Sequence, residues 1–410
     1  MWETARLPED VSIKRLVLLC SLANFINAAD RVIMPIAILE LSKDYRYSLR
    51  QQGWVLSAFP FGYISSQIVG SCAAAQFGGR RLLLLVVFMW SLSTFVVPVV
   101  AHSLHMLIFA RIMLGVGEGL GLPTIYHMFA LSVASDQRST AFSYLAAFGS
   151  IGQTLAAVLC PHLPWRVPFQ LFGLLGLFWC ALWLRFSDAV TPTSDSVLLC
   201  NQTPNMMNRF RGFFNNWAVW SIYVAHFCMN WTSYIVMHWL PTYLQKTLNA
   251  NSADLSFACL PYIFNGACSI GVGHVADALI RQHRLSLLRV RKLMTIVGLV
   301  GPAVLLMWFS AISHIYSAVL LISLTMGLLA FNSAGHLSNH ADICPRYAGI
   351  TFAVSNTIAT IAGVMAGPVT AEIVEESHGR WFPVFVLAGC LNFVGAVIYA
   401  GHASASNIVI

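Results

Sequence analysis

Apolar residues run along the chain in long blocks separated by short polar hinges. The blocks fall at 14–40, 53–75, 81–101, 104–133, 139–162, 167–186, 214–244, 254–280, 292–313, 315–338, 347–374 and 381–401. Each is close to or above the ~20 residues with which an α-helix crosses a bilayer. The pattern predicts an all-α membrane protein with about twelve transmembrane helices. The hinges carry Gly78-Gly79-Arg80-Arg81, Ser135-Asp136-Gln137-Arg138 and Pro345-Arg346. The longest polar stretch, 187–212, divides six blocks from six. It reads as a cytoplasmic linker between a half at 1–186 and a half at 213–410. The halves echo each other weakly. Phe59-Pro60-Phe61 precedes Gly70, and Leu260-Pro261-Tyr262 precedes Gly271, at the same spacing. Two repeated six-helix halves with a site near the midplane is the plan of a secondary transporter.

Composition agrees. The 410 residues are 58% hydrophobic and only 10% charged, against ~25% charged in soluble domains. The formal charge of +7 is a matter of topology, with no nucleic-acid partner implied. With both ends cytoplasmic, the basic hinges lie inside, from Lys14 and Arg15 through Arg80, Arg81, Arg138, Arg209 and Arg211 to Arg291, Lys292 and Arg346. Lys43, Arg46, Arg50, Arg166, Lys246 and Arg380 lie opposite, which satisfies the positive-inside rule. The sequon at Asn201 then faces the wrong side and is discounted. The first residues show no signal-peptide pattern. Ten scattered cysteines with no C-x-x-C read as small core residues. No nucleotide loop, zinc spacing or nucleophile elbow is present, so the expectation is a non-enzyme without cofactor or metal.

The candidate chemistry lies where charges enter the blocks: Asp30, Arg31, Arg111, Glu118 and Glu372. A charge near the bilayer centre costs about 2.5–3 kcal/mol or more on insertion scales, and marks a pathway, a binding site or a structural ion pair. Asp30 and Arg31 are neighbours and point ~100° apart on a helix, so different partners are expected. Arg111 and Glu118 share a face but stand ~10 Å apart along the axis, so each must meet another helix or water. A carboxyl group in low dielectric can carry a proton at mild pH. Glu118, Asp30 and His226 are therefore the coupling-ion candidates. The glycines at 115, 117, 119 and 121 permit close helix approach. Arg31, Tyr63, Asn230 and Asn356 are the candidates for substrate contact. Arg111, Asn339, His340, Arg346 and Asp277 are candidates for gating or the access path. Capping is the simpler reading for Asp342, and hydrogen-bonded packing the simpler one for His226.

These residues sit in a recurring set of motifs. Asp30-Arg31-Val32-Ile33-Met34-Pro35, Phe61-Gly62-Tyr63 with Gln67, Arg111-Ile112-Met113 with Gly117-Glu118-Gly119 and Pro123, and Gln137-Arg138-Ser139 occur in the first half. His226-Phe227-Cys228 with Asn230-Trp231, Leu240-Pro241-Thr242-Tyr243, and Asn339-His340-x-Asp342-Ile343-x-Pro345-Arg346-Tyr347-Ala348-Gly349 with Ser355-Asn356 follow in the second. The chain resembles the anion/cation symporter family of the major facilitator superfamily along nearly its whole length. Its Asp-Arg pair looks most like the plant and algal phosphate branch; sialin and the vesicular glutamate transporters are other members.

The resemblance implies transport of inorganic phosphate or an organic anion, coupled to H+ or Na+ by alternating access, in a plasma or organelle membrane; a monomer is expected. The family's substrate-facing arginine falls on Arg31 and its embedded glutamate on Glu118. There are departures. The second arginine of the glutamate branch is Met229 here, and its second-span histidine is Leu56. The loop signature Gly-x-x-x-Asp has become Ser71 and Ala75, while Gly273 and Asp277 keep it in the second half. One cationic ligand instead of two favours a small anion over glutamate. The lost loop aspartate leaves two other readings open: a non-transporting sensor, or a facilitator of neutral solutes or drugs.

Overall fold

The computed structural model describes residues 9–67, 73, 76–133, 138–186, 216–282, 285–309, 311–343 and 348–406. The linker at 187–212, Arg346, Ser71 and Ala75 lie outside the described residues. The helices in chain order are α1 (Glu9–Tyr45), α2 (Leu49–Gln67), α3 (Gly79–Val100), α4 (Leu104–Ser132), α5 (Arg138–Leu159) and α6 (Arg166–Phe186). They continue with α7 (Trp217–Leu248), α8 (Leu260–Arg281), α9 (Leu287–Phe309), α10 (Ile315–Leu329), α11 (His336–Ile343), α12 (Ala348–Glu376) and α13 (Phe382–His402). Among the described residues, ten helical segments are long and apolar enough to cross a membrane. Helices α2 and α7 are two more of spanning length, made less apolar by residues such as Gln51, Gln52, His226, Asn230 and His238. The chain is a multi-pass, all-helical membrane protein.

Local chemistry sets the helix ends. Ser48 and Gln51 begin α2 reciprocally: the Ser48 N–H donates to Gln51 Oε1 at 2.8 Å, and the Gln51 N–H to Ser48 Oγ at 3.2 Å. The reciprocal pair is a capping box of the Ser-x-x-Gln type. Asn216 caps α7 by accepting from the Ala218 N–H at 2.8 Å. Asn249 closes the same helix in the left-handed region at φ 54°, where asparagine is tolerated. The tenth span is broken. It runs as α10, a 3₁₀ turn at Ala330–Ser333, and then α11.

Contacts divide the chain into two compact units. The first holds Met1–Met34, Gly62–Ala156 and Leu163–Pro204; the second holds Pro35–Phe61, Ala157–His162 and Asn205–Ile410. In the first unit, Trp179 and Trp183 of α6 stack at 5.0 Å. Their indole N–H groups donate to Leu19 O at 2.8 Å and Arg80 O at 3.1 Å, so α6 is pinned to both α1 and α3. A buried tryptophan N–H usually finds such a partner. In the second unit, Tyr243, Phe309, Trp381 and Phe385 form an aromatic cluster with centroids 4.9–5.6 Å apart, three of the four pairs edge-on and Tyr243 tilted against Phe309. This cluster ties α7, α9 and α13 together.

The second unit also contains a seam between the start of α2 and the end of α12. The helices run antiparallel, and contacts recur along both. Arg50 Nε lies 2.7 Å from Glu372 Oε2 and 2.9 Å from Glu375 Oε2. One turn on, a Cβ on Gly53 would stand 2.7 Å from Gly367 O. A further turn on, Ser57 Oγ donates to Gly363 O at 3.2 Å. Small residues that let two backbones touch are a usual means of helix association in lipid. Glu372 therefore does not lie deep in its span: its side chain is 46% exposed and held by Arg50. The hydropathy block ran past the point where α12 meets a cationic partner.

Candidate functional site

Two polar clusters lie inside the helices, one in each unit. The first is built on α1 and α4. Arg31 Nε lies 2.8 Å from Glu118 Oε2. Tyr63 of α2 places its ring beneath the Arg31 guanidinium, 5.1 Å from ring centroid to Cζ. Such stacking suits arginine, whose planar fork keeps its remaining N–H groups directed outward. Glycine makes the approach possible. A Cβ on Gly119 would lie 2.6 Å from Tyr63 O, and one on Gly121 2.7 Å from the Trp90 ring of α3. The alternating glycines of α4 thus clear space for α2 on one side and α3 on the other.

Asp30 and Arg111 complete this cluster. Asp30 is 1% exposed and faces Thr94 of α3, with Glu118 and Arg111 as the charges acting on it. Arg111 is 3% exposed and lies in the fields of Glu118 and Asp30. Glu118 is fully buried, and its Oε1 meets no hydrogen-bond partner among the described residues. Only Arg31 keeps contact with an accessible space, its side chain being 23% exposed. Two guanidinium and two carboxyl groups therefore sit together. With both carboxyls ionised they balance. With a proton on either carboxyl the cluster carries one net positive charge.

The second cluster is built on α7, α11 and α12. His226 Nδ1 lies 2.7 Å from Ser355 Oγ, and Asn230 Nδ2 donates to His226 O at 3.1 Å on the same helix. Asn339 donates to the Tyr399 hydroxyl at 2.9 Å. His340 is buried between the rings of Tyr223 and Phe352. Asn356 is half-buried on α12. Asp342 does not act as a cap. It receives both Nε (2.7 Å) and Nη2 (3.3 Å) of Arg291, an ion pair between α11 and α9. Capping is a local expectation, and this partner lies 51 residues away. Asp277 stands exposed on α8 and belongs to neither cluster. Sequence reasoning missed Thr94, which carries no signal in an apolar span, and the pairing role of Arg291. Among the described residues no group of histidine, cysteine and acidic side chains has the arrangement of a metal site.

Long apolar helices with ionisable groups enclosed within them define a membrane carrier. Comparison with known proteins gives its family. The model of the Major Facilitator Superfamily matches residues 20–368, and the chain belongs to that superfamily. It is 33% identical over 411 residues to the chloroplastic ascorbate transporter of Arabidopsis thaliana, covering 96% of this chain and 75% of that protein. It is 32% identical over 411 residues to the chloroplastic sodium-dependent phosphate transport protein 1 of the same plant, covering 96% and 80%. Human sialin is 33% identical over 384 residues, covering 88% and 77%. These relatives are transporters, not enzymes, and the resemblance read from the motifs holds. Among solved structures, a bacterial homologue of the human lysosomal transporter Spinster superposes with a TM-score of 0.80 at 14% identity, covering 95% of this chain and 97% of that one. The D-xylose–proton symporter gives 0.71 at 15% identity, covering 97% and 99%. These two likenesses establish the fold.

Proposed function

We propose that the chain is a secondary active transporter of small anions, inorganic phosphate or an organic anion, coupled to H+ or Na+ and working by alternating access. The observation that carries this reading is Arg31, an intramembrane cation paired with fully buried Glu118 yet itself 23% exposed. Its relatives' names, which include ascorbate and phosphate transport, support it. The halves at 1–186 and 213–410 are the moving parts, and the seam of α2 against α12 must part and re-form in each cycle. Both termini are cytoplasmic, the working unit is a monomer, and the membrane is a plasma or organelle membrane.

The chemistry follows from competition for one guanidinium. An ionised Glu118 occupies Arg31 Nε. A proton on Glu118 ends that claim and leaves the cluster with a net positive charge. An anion then satisfies Arg31, because a planar fork binds an oxyanion by two charge-assisted hydrogen bonds. Proton and anion thus bind together more readily than either alone. Asp30 and His226 are the alternative proton carriers. Arg111 supplies the fixed positive charge that keeps two buried carboxyls tolerable.

Labelled phosphate uptake into proteoliposomes under imposed H+ or Na+ gradients tests the proposal. Gradient-driven uptake is the expected result. Failure with phosphate and with organic anions alike would favour the non-transporting sensor, and flux of a neutral solute with no charge movement would favour the facilitator. Glu118→Gln is expected to keep exchange of anion for anion while losing accumulation driven by a proton gradient. Undiminished proton-driven accumulation in that variant would move the coupling site to Asp30 or His226.

A further inference from the structure

His336 opens α11, immediately after the break in the tenth span. The break is wedged against α9. Asn332 Nδ2 donates to both Gly298 O at 2.8 Å and Leu329 O at 2.9 Å, and a Cβ on Gly335 would lie 2.8 Å from Thr295 N. The imidazole of His336 lies between that of His226, at 5.7 Å, and the ring of Tyr399, at 6.2 Å. His336 is 0% exposed and His340 is 3% exposed. All four ring nitrogens of these two residues lack a hydrogen-bond partner among the described residues. The other side chains facing the cluster are His226 and Tyr223 from α7, Thr295 from α9, Ser355 and Phe352 from α12, and Tyr399 from α13. Among the described residues the acid nearest the cluster, Asp342, is held by Arg291.

This arrangement is costly as packing. A buried polar group left unmet is destabilising, and leucine would fill the same space without that cost. Its chemistry is that of a recognition site. A neutral imidazole carries one N–H donor and one lone pair. The first turn of α11 adds backbone N–H groups and the positive end of its dipole. With no free carboxylate at hand, the site suits negative charge, and its lone pairs require a ligand that also donates. We propose that the His226–His336–His340 cluster is a ligand subsite selecting oxyanions that carry a hydroxyl group over those that do not. Phosphate bearing a proton, or a hydroxy acid, meets both demands. Sulfate, or the matching acid without its hydroxyl, meets one.

The inference rests on the anion-transport reading, and its test separates the two. Competition of labelled phosphate uptake by phosphate against sulfate, and by lactate against propionate, is measured for the wild type, His336→Leu and His336→Gln in proteoliposomes. The wild type is expected to prefer the hydroxylated member of each pair. His336→Leu should shrink that preference by about twofold to tenfold, the worth of a hydrogen bond between a hydroxyl and a neutral imidazole. His336→Gln, which keeps a donor and an acceptor, should retain much of it. Thermal melting should show His336→Leu no less stable than the wild type, which separates lost selectivity from lost folding. Equal competition within each pair in the wild type, or an unchanged ratio in His336→Leu, overturns this inference and leaves anion transport standing. Absence of any anion flux overturns both.

Discussion

Arg31→Ala is expected to lower gradient-driven anion uptake by about a hundredfold or more. Truncating one member of a buried, hydrogen-bonded charge pair costs about 2–5 kcal/mol, and here that member is also the proposed anion ligand. Arg31→Lys keeps the charge but loses the fork and its stacking on Tyr63, so a loss of about tenfold is expected. Alanine also strands Glu118 in a fully buried position, which lowers stability. The double variant Arg31→Ala, Glu118→Ala removes both charges. It should melt above the single variant and still fail to transport, since neighbouring partners are not additive. Uptake at the wild-type rate in folded Arg31→Ala would remove Arg31 from the site.

Gly367→Val should stop transport by a different route. A Cβ at Gly367 runs into Gly53 O and Ser57 Oγ, and both positions lie on a helix-to-helix backbone contact that cannot shift locally. Overpacking of this kind costs about 1–3 kcal/mol, a population shift of about fivefold to a hundredfold away from the closed seam. The reporter is Ser57, which is 2% exposed. A cysteine placed there should react slowly with a membrane-impermeant thiol reagent in the otherwise wild-type protein. It should react about tenfold faster or more when Gly367→Val is added. Anion binding should survive, because the Arg31 cluster is untouched. Unchanged labelling would show that the seam does not open, or opens without regard to its glycines.

The helices and the enclosed charges were legible because the bilayer imposes strong rules. Some twenty apolar residues are needed to cross it, and a charge among them stands out whatever the fold. Residues 30, 31, 111 and 118 were found on that ground alone. Their pairing was not legible. Arg31 and Glu118 lie 87 residues apart, and periodicity relates residues only along one helix. Asp342 and Glu372 were misread for the same reason, since Arg291 and Arg50 come from distant helices. The break at Ala330–Ser333 was not inferred, although Asn332, Ser333 and Gly335 interrupt the apolar run there. His336 was not among the candidate residues, and its place at the start of a new helix emerges only from the structure. The resemblance to a known family supplied what pattern could not, the expectation of an anion at Arg31.

The seam of α2 and α12 joins two kinds of contact with opposite responses to the surrounding solution. Its glycine crossing is a contact of bare backbone, indifferent to dissolved ions. The clasp at its end is exposed, with the Arg50 side chain 54% accessible and shared by Glu372 and Glu375. Exposed ion pairs weaken as salt screens them, over a length of about 10 Å at 0.1 M. Raising ionic strength around the clasp is therefore expected to loosen the ion pairs while leaving the glycine crossing unchanged.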